Sequence, residues 1–110
     1  MHILLVGLNH KTAPLEVREA VTFTKEQLPQ ALSALSEQVG ESVILSTCNR
    51  TEFYCATESP PATSDRIRRF VCDFHGLEPE DVSPFLYEHS DLDASRHLFR
   101  VASGLDSMII

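Results

Sequence analysis

An α+β domain is what this sequence predicts: an antiparallel four-stranded sheet with helices packed on one face, a split βαβ or ferredoxin-like arrangement. Three observations carry that expectation. Strand-like and helix-like patterns follow one another in the order β-α-α-β-β-α-β-α. The two middle strands are joined by a short polar stretch, which only an antiparallel hairpin can span. And 110 residues, 43% of them hydrophobic and 23% charged, suffice for one core but not for two.

Met1 to Leu8 is an apolar run that reads as the first strand, with Gly7 permitting the turn beyond it. Asn9-His10-Lys11-Thr12 is a polar loop in which Thr12 is the expected N-cap of a short helix, with Pro14 in its first turn. Thr24 and Gln27 form a capping box, and Phe23 and Leu28 occupy the staple positions. Leu28, Ala31, Leu32, Leu35 and Val39 then recur at helical spacing until Gly40 stops them. Glu41 to Ser46 reads as a second strand. Thr51 to Thr57 reads as a third, with Phe53 and Cys55 on one face and Glu52 and Tyr54 on the other. Ser59 to Thr63 is a proline-rich link, after which Thr63 or Ser64 caps a helix whose stripe is Ile67, Phe70, Val71 and Phe74. Leu77 to Ser83 reads as a loop or a short helical turn, and Phe85 to His89 as the fourth strand. A last helix starts at Ser90 or Asp91. Its expected apolar face is Leu92, Leu98, Phe99, Ala102 and Leu105, with His97 beside it. Gly104 breaks this helix, and the uncapped apolar ending Met108-Ile109-Ile110 reads as a cut within a longer polypeptide.

A net charge of −7 argues against a surface built to coat nucleic acid. The arginines at 66, 68 and 69, and those at 96 and 100, are local exceptions on helical faces. Three cysteines without a Cys-x-x-Cys pair suggest neither a disulfide framework nor a zinc knuckle, and fit a reducing, cytoplasmic setting. Cys72-x-x-His75 has ligand-like residue types but lacks the second pair of a tetrahedral site. The apolar start is too short for a signal peptide, and no run approaches the ~20 residues of a membrane span.

The chemistry concentrates at Ser46-Thr47-Cys48-Asn49-Arg50-Thr51-Glu52, where a thiol sits between two strands among polar side chains. Arg50 can favour a thiolate or hold a substrate carboxylate, and Thr47, Asn49 and backbone N–H groups can donate to an oxyanion. A small cysteine in a hairpin beside a solvated arginine is the plainer alternative.

This motif, Gly7-Leu8-Asn9-His10-Lys11-Thr12-Ala13-Pro14 and His97-Leu98-Phe99-Arg100-Val101-Ala102-Ser103-Gly104-Leu105-Asp106-Ser107-Met108 occur in that order. Together they resemble the N-terminal catalytic domain of glutamyl-tRNA reductase, across essentially the whole chain. The resemblance implies an enzyme that reduces glutamyl-tRNA with NADPH to glutamate-1-semialdehyde through a Cys48 thioester, the first step of tetrapyrrole and porphyrin biosynthesis. It assigns Cys48 as nucleophile and His97 to acid/base or carbonyl-polarising work, and Thr47, Asn49, Arg50 and Ser107 to substrate contact. It implies one catalytic domain over residues 1–110. The NADPH-binding and dimerisation domains of the full-length homodimer are expected beyond it, since Gly7, Gly40, Gly76 and Gly104 form no Gly-x-Gly-x-x-Gly loop. No NADPH or metal is thus expected to bind this chain. Contact with the aminomutase that uses the semialdehyde is a further implication. An RNA-binding or regulatory module of the same fold, without thiol catalysis, is the alternative function.

Overall fold

β1 (His2–Asn9) lies inside the sheet because it is apolar on both faces: Leu4, Val6 and Leu8 point to one side and Leu5 to the other, all nearly inaccessible to water. In the computed structural model, which describes residues 1–102, the chain continues through α1 (Leu15–Val21), α2 (Leu28–Val39), β2 (Ser42–Ser46) and β3 (Arg50–Thr57). Then follow α3 (Pro60–His75), α4 (Pro79–Val82), a 3-10 turn at Ser83–Phe85, β4 (Tyr87–Ser90) and α5 (Asp91–Ala102). The strand order is β2-β3-β1-β4, with every neighbouring pair antiparallel. β1 and β2, linked through helices, are thus split by β3, as the predicted architecture requires.

The main core lies between the sheet and α1–α3. Phe53 and Cys55 point into it from β3, Ala31 and Leu35 from α2, and Ile67, Phe70 and Val71 from α3. Phe23 meets Phe53 edge-on at a centroid distance of 5.9 Å and Phe70 at 6.4 Å, so the loop before α2 is anchored by aromatic packing. A smaller cluster of Leu5, Tyr54 and Ala94, flanked by Tyr87, occupies the reverse face. α1–α3 supply the predicted helical layer, and α5 extends the fold onto the other side.

Local chemistry explains where elements start. The capping box is present: the Thr24 N–H donates to Gln27 Oε1 at 2.9 Å and the Gln27 N–H to Thr24 Oγ1 at 3.2 Å. Thr12 does not cap α1. It closes a turn on Asn9 instead, accepting the Asn9 N–H at 3.1 Å, while the Pro14 carbonyl takes the Val17 and Arg18 N–H groups. α3 begins at Pro60, earlier than the expected Thr63 or Ser64. Prolines are tolerated in a first turn because the N–H groups they lack would have no helical partner there. Thr63 and Ser64 are buried, and Ser64 donates to Glu88 Oε1 at 2.5 Å. β4 starts two residues later than predicted because Ser83–Phe85 winds into the 3-10 turn.

α5 departs most from expectation. Leu92, Leu98 and Phe99, predicted as its buried face, are 62%, 46% and 76% exposed, and Ala94 is its fully buried residue. Asp91 does not act as a simple cap. It takes a left-handed φ of 53° and accepts the Ile3 N–H and the His2 ring, each at 3.1 Å, fastening α5 to the start of β1. Those bonds hold its carboxyl below the usual range, His2 contributing most. Gly104, Leu105, Ser107 and the apolar ending lie outside the described residues.

Candidate active site

The Cys48 turn is built from its own side chains. The Thr47 N–H donates to the Arg50 carbonyl at 2.8 Å and the Asn49 N–H to Thr47 Oγ1 at 3.2 Å, so a tight bend replaces the β ladder and pushes Cys48 outward. α1 braces that bend. Arg18 Nη1 donates to Asn49 Oδ1 at 3.0 Å, and Ser46 Oγ accepts the Phe23 N–H at 3.0 Å. With its amide oxygen occupied by Arg18, Asn49 presents Nδ2 as a donor, and the Thr47 hydroxyl keeps its proton to give. A groove of about 410 Å³ opens beside the thiol, floored by Leu15, Thr22 and Phe23 and edged by Arg18, Glu19, Ser46 and Thr47. That volume suits an amino-acid-sized group. A larger groove of about 480 Å³ lies along the far end of the β2–β3 hairpin, around Ile3, Ser36 and Tyr54, away from the Cys48 turn.

The three thiols differ sharply. Cys48 is exposed, whereas Cys55 and Cys72 are buried. Burial pushes the Cys55 thiol up, and burial aided by Asp73, Glu78 and Glu80 does the same at Cys72. Competitive alkylation of the folded protein at neutral pH should label Cys48 at least ~10-fold faster than either of the others. Peptide mapping that found Cys55 or Cys72 labelled first would contradict this ordering. Cys72 and His75 do not pair as ligands: the His75 ring packs on Phe23 at 4.6 Å, and burial lowers its pKa.

The alternation along β3 places Arg50, Glu52 and Tyr54 on the reverse face of the sheet, beneath α5. Glu52 is 0% exposed and is the hydrogen-bond partner of four side chains. Arg50 Nη1 reaches its Oε2 at 3.2 Å, His97 Nε2 the same oxygen at 2.5 Å, the Tyr54 hydroxyl its Oε1 at 3.0 Å, and the Tyr87 hydroxyl its Oε2. Burial, reinforced by the Glu52 charge, pushes both phenols well above their ordinary range, so they remain O–H donors. Gly7 makes the arrangement possible: it lies opposite Glu52 in the β1–β3 register, where a Cβ would stand 2.8 Å from Glu52 Cγ.

The residues expected from sequence thus fall into two groups. Thr47, Cys48 and Asn49 share the turn, while Arg50 and His97 meet at Glu52 on the reverse face. No hydrogen bond joins His97 to Cys48 among the described residues, and Ser107 lies outside them. Sequence reasoning missed Arg18 and Thr22, which support the turn, and Glu52, Tyr54 and Tyr87, which organise the reverse face. The i, i+2, i+4 spacing of Arg50, Glu52 and Tyr54 was the available signal for the second set. His89, Arg96, His97 and Arg100 line a further groove of about 240 Å³ beside α5.

Comparisons with known proteins agree with one another. The family profile described as "Glutamyl-tRNAGlu reductase, N-terminal domain" matches residues 6–110. A glutamyl-tRNA reductase from Exiguobacterium sibiricum is 48% identical over 112 residues, which cover 100% of this chain and 25% of that protein. A solved structure, glutamyl-tRNA reductase from Methanopyrus kandleri, superposes with a TM-score of 0.71 at 30% identity, covering 96% of this chain and 23% of that one. The chain therefore spans about a quarter of the length of these relatives.

Proposed function

The chain belongs to the glutamyl-tRNA reductase N-terminal domain family, and from that premise we propose that it performs the acyl-transfer half of glutamyl-tRNA reduction, with Cys48 as nucleophile. The observation that carries this reading is the position of Cys48: the exposed member of the three thiols, on a braced turn, at the edge of an amino-acid-sized groove.

An ester is a reluctant hydride acceptor, whereas a thioester is more electrophilic and stays on the protein. The Cys48 thiolate attacks the carbonyl carbon of the glutamyl ester. A C–S bond forms, the tetrahedral oxyanion takes donors from Thr47, Asn49 and the turn, and the C–O bond to the tRNA ribose breaks. The leaving ribose oxygen takes a proton, a role assigned to His97. Arg50 is assigned to the substrate's γ-carboxylate, and in that role its guanidinium, buried here against Glu52, must be uncovered when substrate binds. Ser107 is a further proposed substrate contact.

NADPH would supply the hydride that converts the thioester to glutamate-1-semialdehyde. The described residues do not fit that cofactor. Gly7 is spent on the approach of Glu52, and Gly40 and Gly76 end helices at φ of 82° and 67°, so none forms a phosphate-cradling loop. The reductive step, the NADPH-binding and dimerisation domains, contact with the semialdehyde aminomutase, a cytoplasmic setting and a place at the entry to porphyrin synthesis are proposed for the full-length protein. Among the described residues, no helix is long and apolar enough to cross a membrane.

Alone, the domain should load glutamate onto Cys48 and lose it slowly to water, acting as a weak glutamyl-tRNA hydrolase. Release of labelled glutamate should be abolished by Cys48→Ser and be indifferent to NADPH. Hydrolysis unchanged in the serine variant would remove Cys48 from its role, and NADPH-dependent aldehyde from this chain would overturn the division of labour.

A further inference from the structure

Glu52 is a glutamate with no exposure, in a sheet whose other buried positions are mostly apolar. Burying a carboxylate costs several kcal/mol unless its lone pairs are filled, so a convergence of donors on it indicates what state it holds. Here a guanidinium and two phenols donate to it, and the fourth partner is an imidazole nitrogen. An ionised carboxylate is an acceptor only, and a guanidinium together with two phenolic donors favours that form. Against an ionised Glu52, His97 Nε2 carries its hydrogen towards the carboxylate.

We propose that Glu52 is a positioning residue that fixes His97 in its Nε2–H tautomer, making Nδ1 the nitrogen that gains and gives up the catalytic proton. Its role in catalysis rests on the acyl-transfer reading; the tautomer itself does not. The fold supplies the supporting pieces. Ala94, one turn before His97 and completely buried, lets α5 lie close to the sheet, so that His97 reaches across to Glu52. Tyr87 and His89 flank the His97 ring at centroid distances of 5.3 and 5.4 Å, restricting its rotation. Arg50 on the same carboxylate offsets its charge and couples the imidazole to the proposed γ-carboxylate reader. One side chain thereby orients both a proton carrier and a substrate-binding cation, without touching substrate itself.

The test combines a spectroscopic signature with kinetics. Long-range 1H–15N NMR of the histidine-labelled 110-residue chain, at a pH where His97 is neutral, should show it wholly in the Nε2–H form. Glu52→Gln, which puts an amide N–H₂ among those donors, should convert this to a tautomer mixture. In the intact reductase carrying the domain, the same variant should slow formation of the Cys48 adduct by ~10²-fold. A wild-type spectrum showing the Nδ1–H tautomer would overturn the proposal, and needs no variant that folds. So would a Glu52→Gln protein that keeps the pure tautomer, or that loses it without slowing the adduct. If wild-type reductase forms no Cys48 adduct, the acyl-transfer reading fails, while the spectrum still decides the tautomer.

Discussion

Gly7→Ala should destabilise the domain by about 3 kcal/mol, near the top of the usual range for overpacking. A Cβ at Gly7 would meet Glu52 Cγ and the Thr51 carbonyl oxygen at 2.8 Å and Glu52 Cα at 3.0 Å. Two of these three atoms belong to the backbone of β3, so relief requires moving a strand that pairs with β1 along its whole length. The one side-chain atom belongs to Glu52, whose displacement would break the contacts to Arg50, Tyr54, Tyr87 and His97. Urea unfolding should show a lower midpoint, and activity should suffer even where the variant folds. A midpoint within experimental error of wild type would mean that β1 and β3 have more freedom than their register implies.

Arg50→Met should cost about 3–5 kcal/mol, because it strands a buried carboxylate without its cation. Both partners are essentially inaccessible, with side-chain exposures of 1% and 0%, so solvent screening gives little relief. Combining Arg50→Met with Glu52→Gln should recover part of that loss, since the second change removes the uncompensated charge. Arg50→Lys should retain more stability than Arg50→Met but lose the two-pronged guanidinium, and with it discrimination between glutamyl- and glutaminyl-tRNA. Thermal and denaturant unfolding of the set measures the first effects. A loss below ~1 kcal/mol in Arg50→Met would indicate that Glu52 is satisfied by its neutral donors alone.

The features most legible in the sequence were those with a local chemical cause. The Thr24–Gln27 box and the alternation of β3 each act over a few residues and were read correctly, whereas Leu32, expected on the buried face of α2, is 38% exposed. The prolines at 60 and 61 were read as a break, although they serve equally well to open a helix; only the packing of Thr63 and Ser64 against Thr57 and Glu88 shows which applies. α5 was misread for a physical reason. Its large apolar residues advertised a buried face, but the sheet accepts small Ala94 and the polar ring of His97 instead.

The same contrast runs through the candidate site. Cys48 stood out as a thiol in a polar turn. Glu52 did not, because a glutamate beside an arginine in a strand is ordinarily solvated, and its burial depends on Gly7, Tyr87 and His97, which lie far away in sequence. Cooperation between distant polar groups leaves no periodic trace.

The central claim, that Cys48 receives the glutamyl group, is tested most directly by mass spectrometry. The 110-residue chain would be incubated with glutamyl-tRNA without a hydride donor, quenched in acid to preserve a thioester, and measured intact and after proteolysis. The expected spectrum gains one glutamyl residue, on the peptide containing Cys48, removable by hydroxylamine and absent from Cys48→Ser. An adduct on Cys55 or Cys72, or one that persists in the serine variant, would contradict that claim.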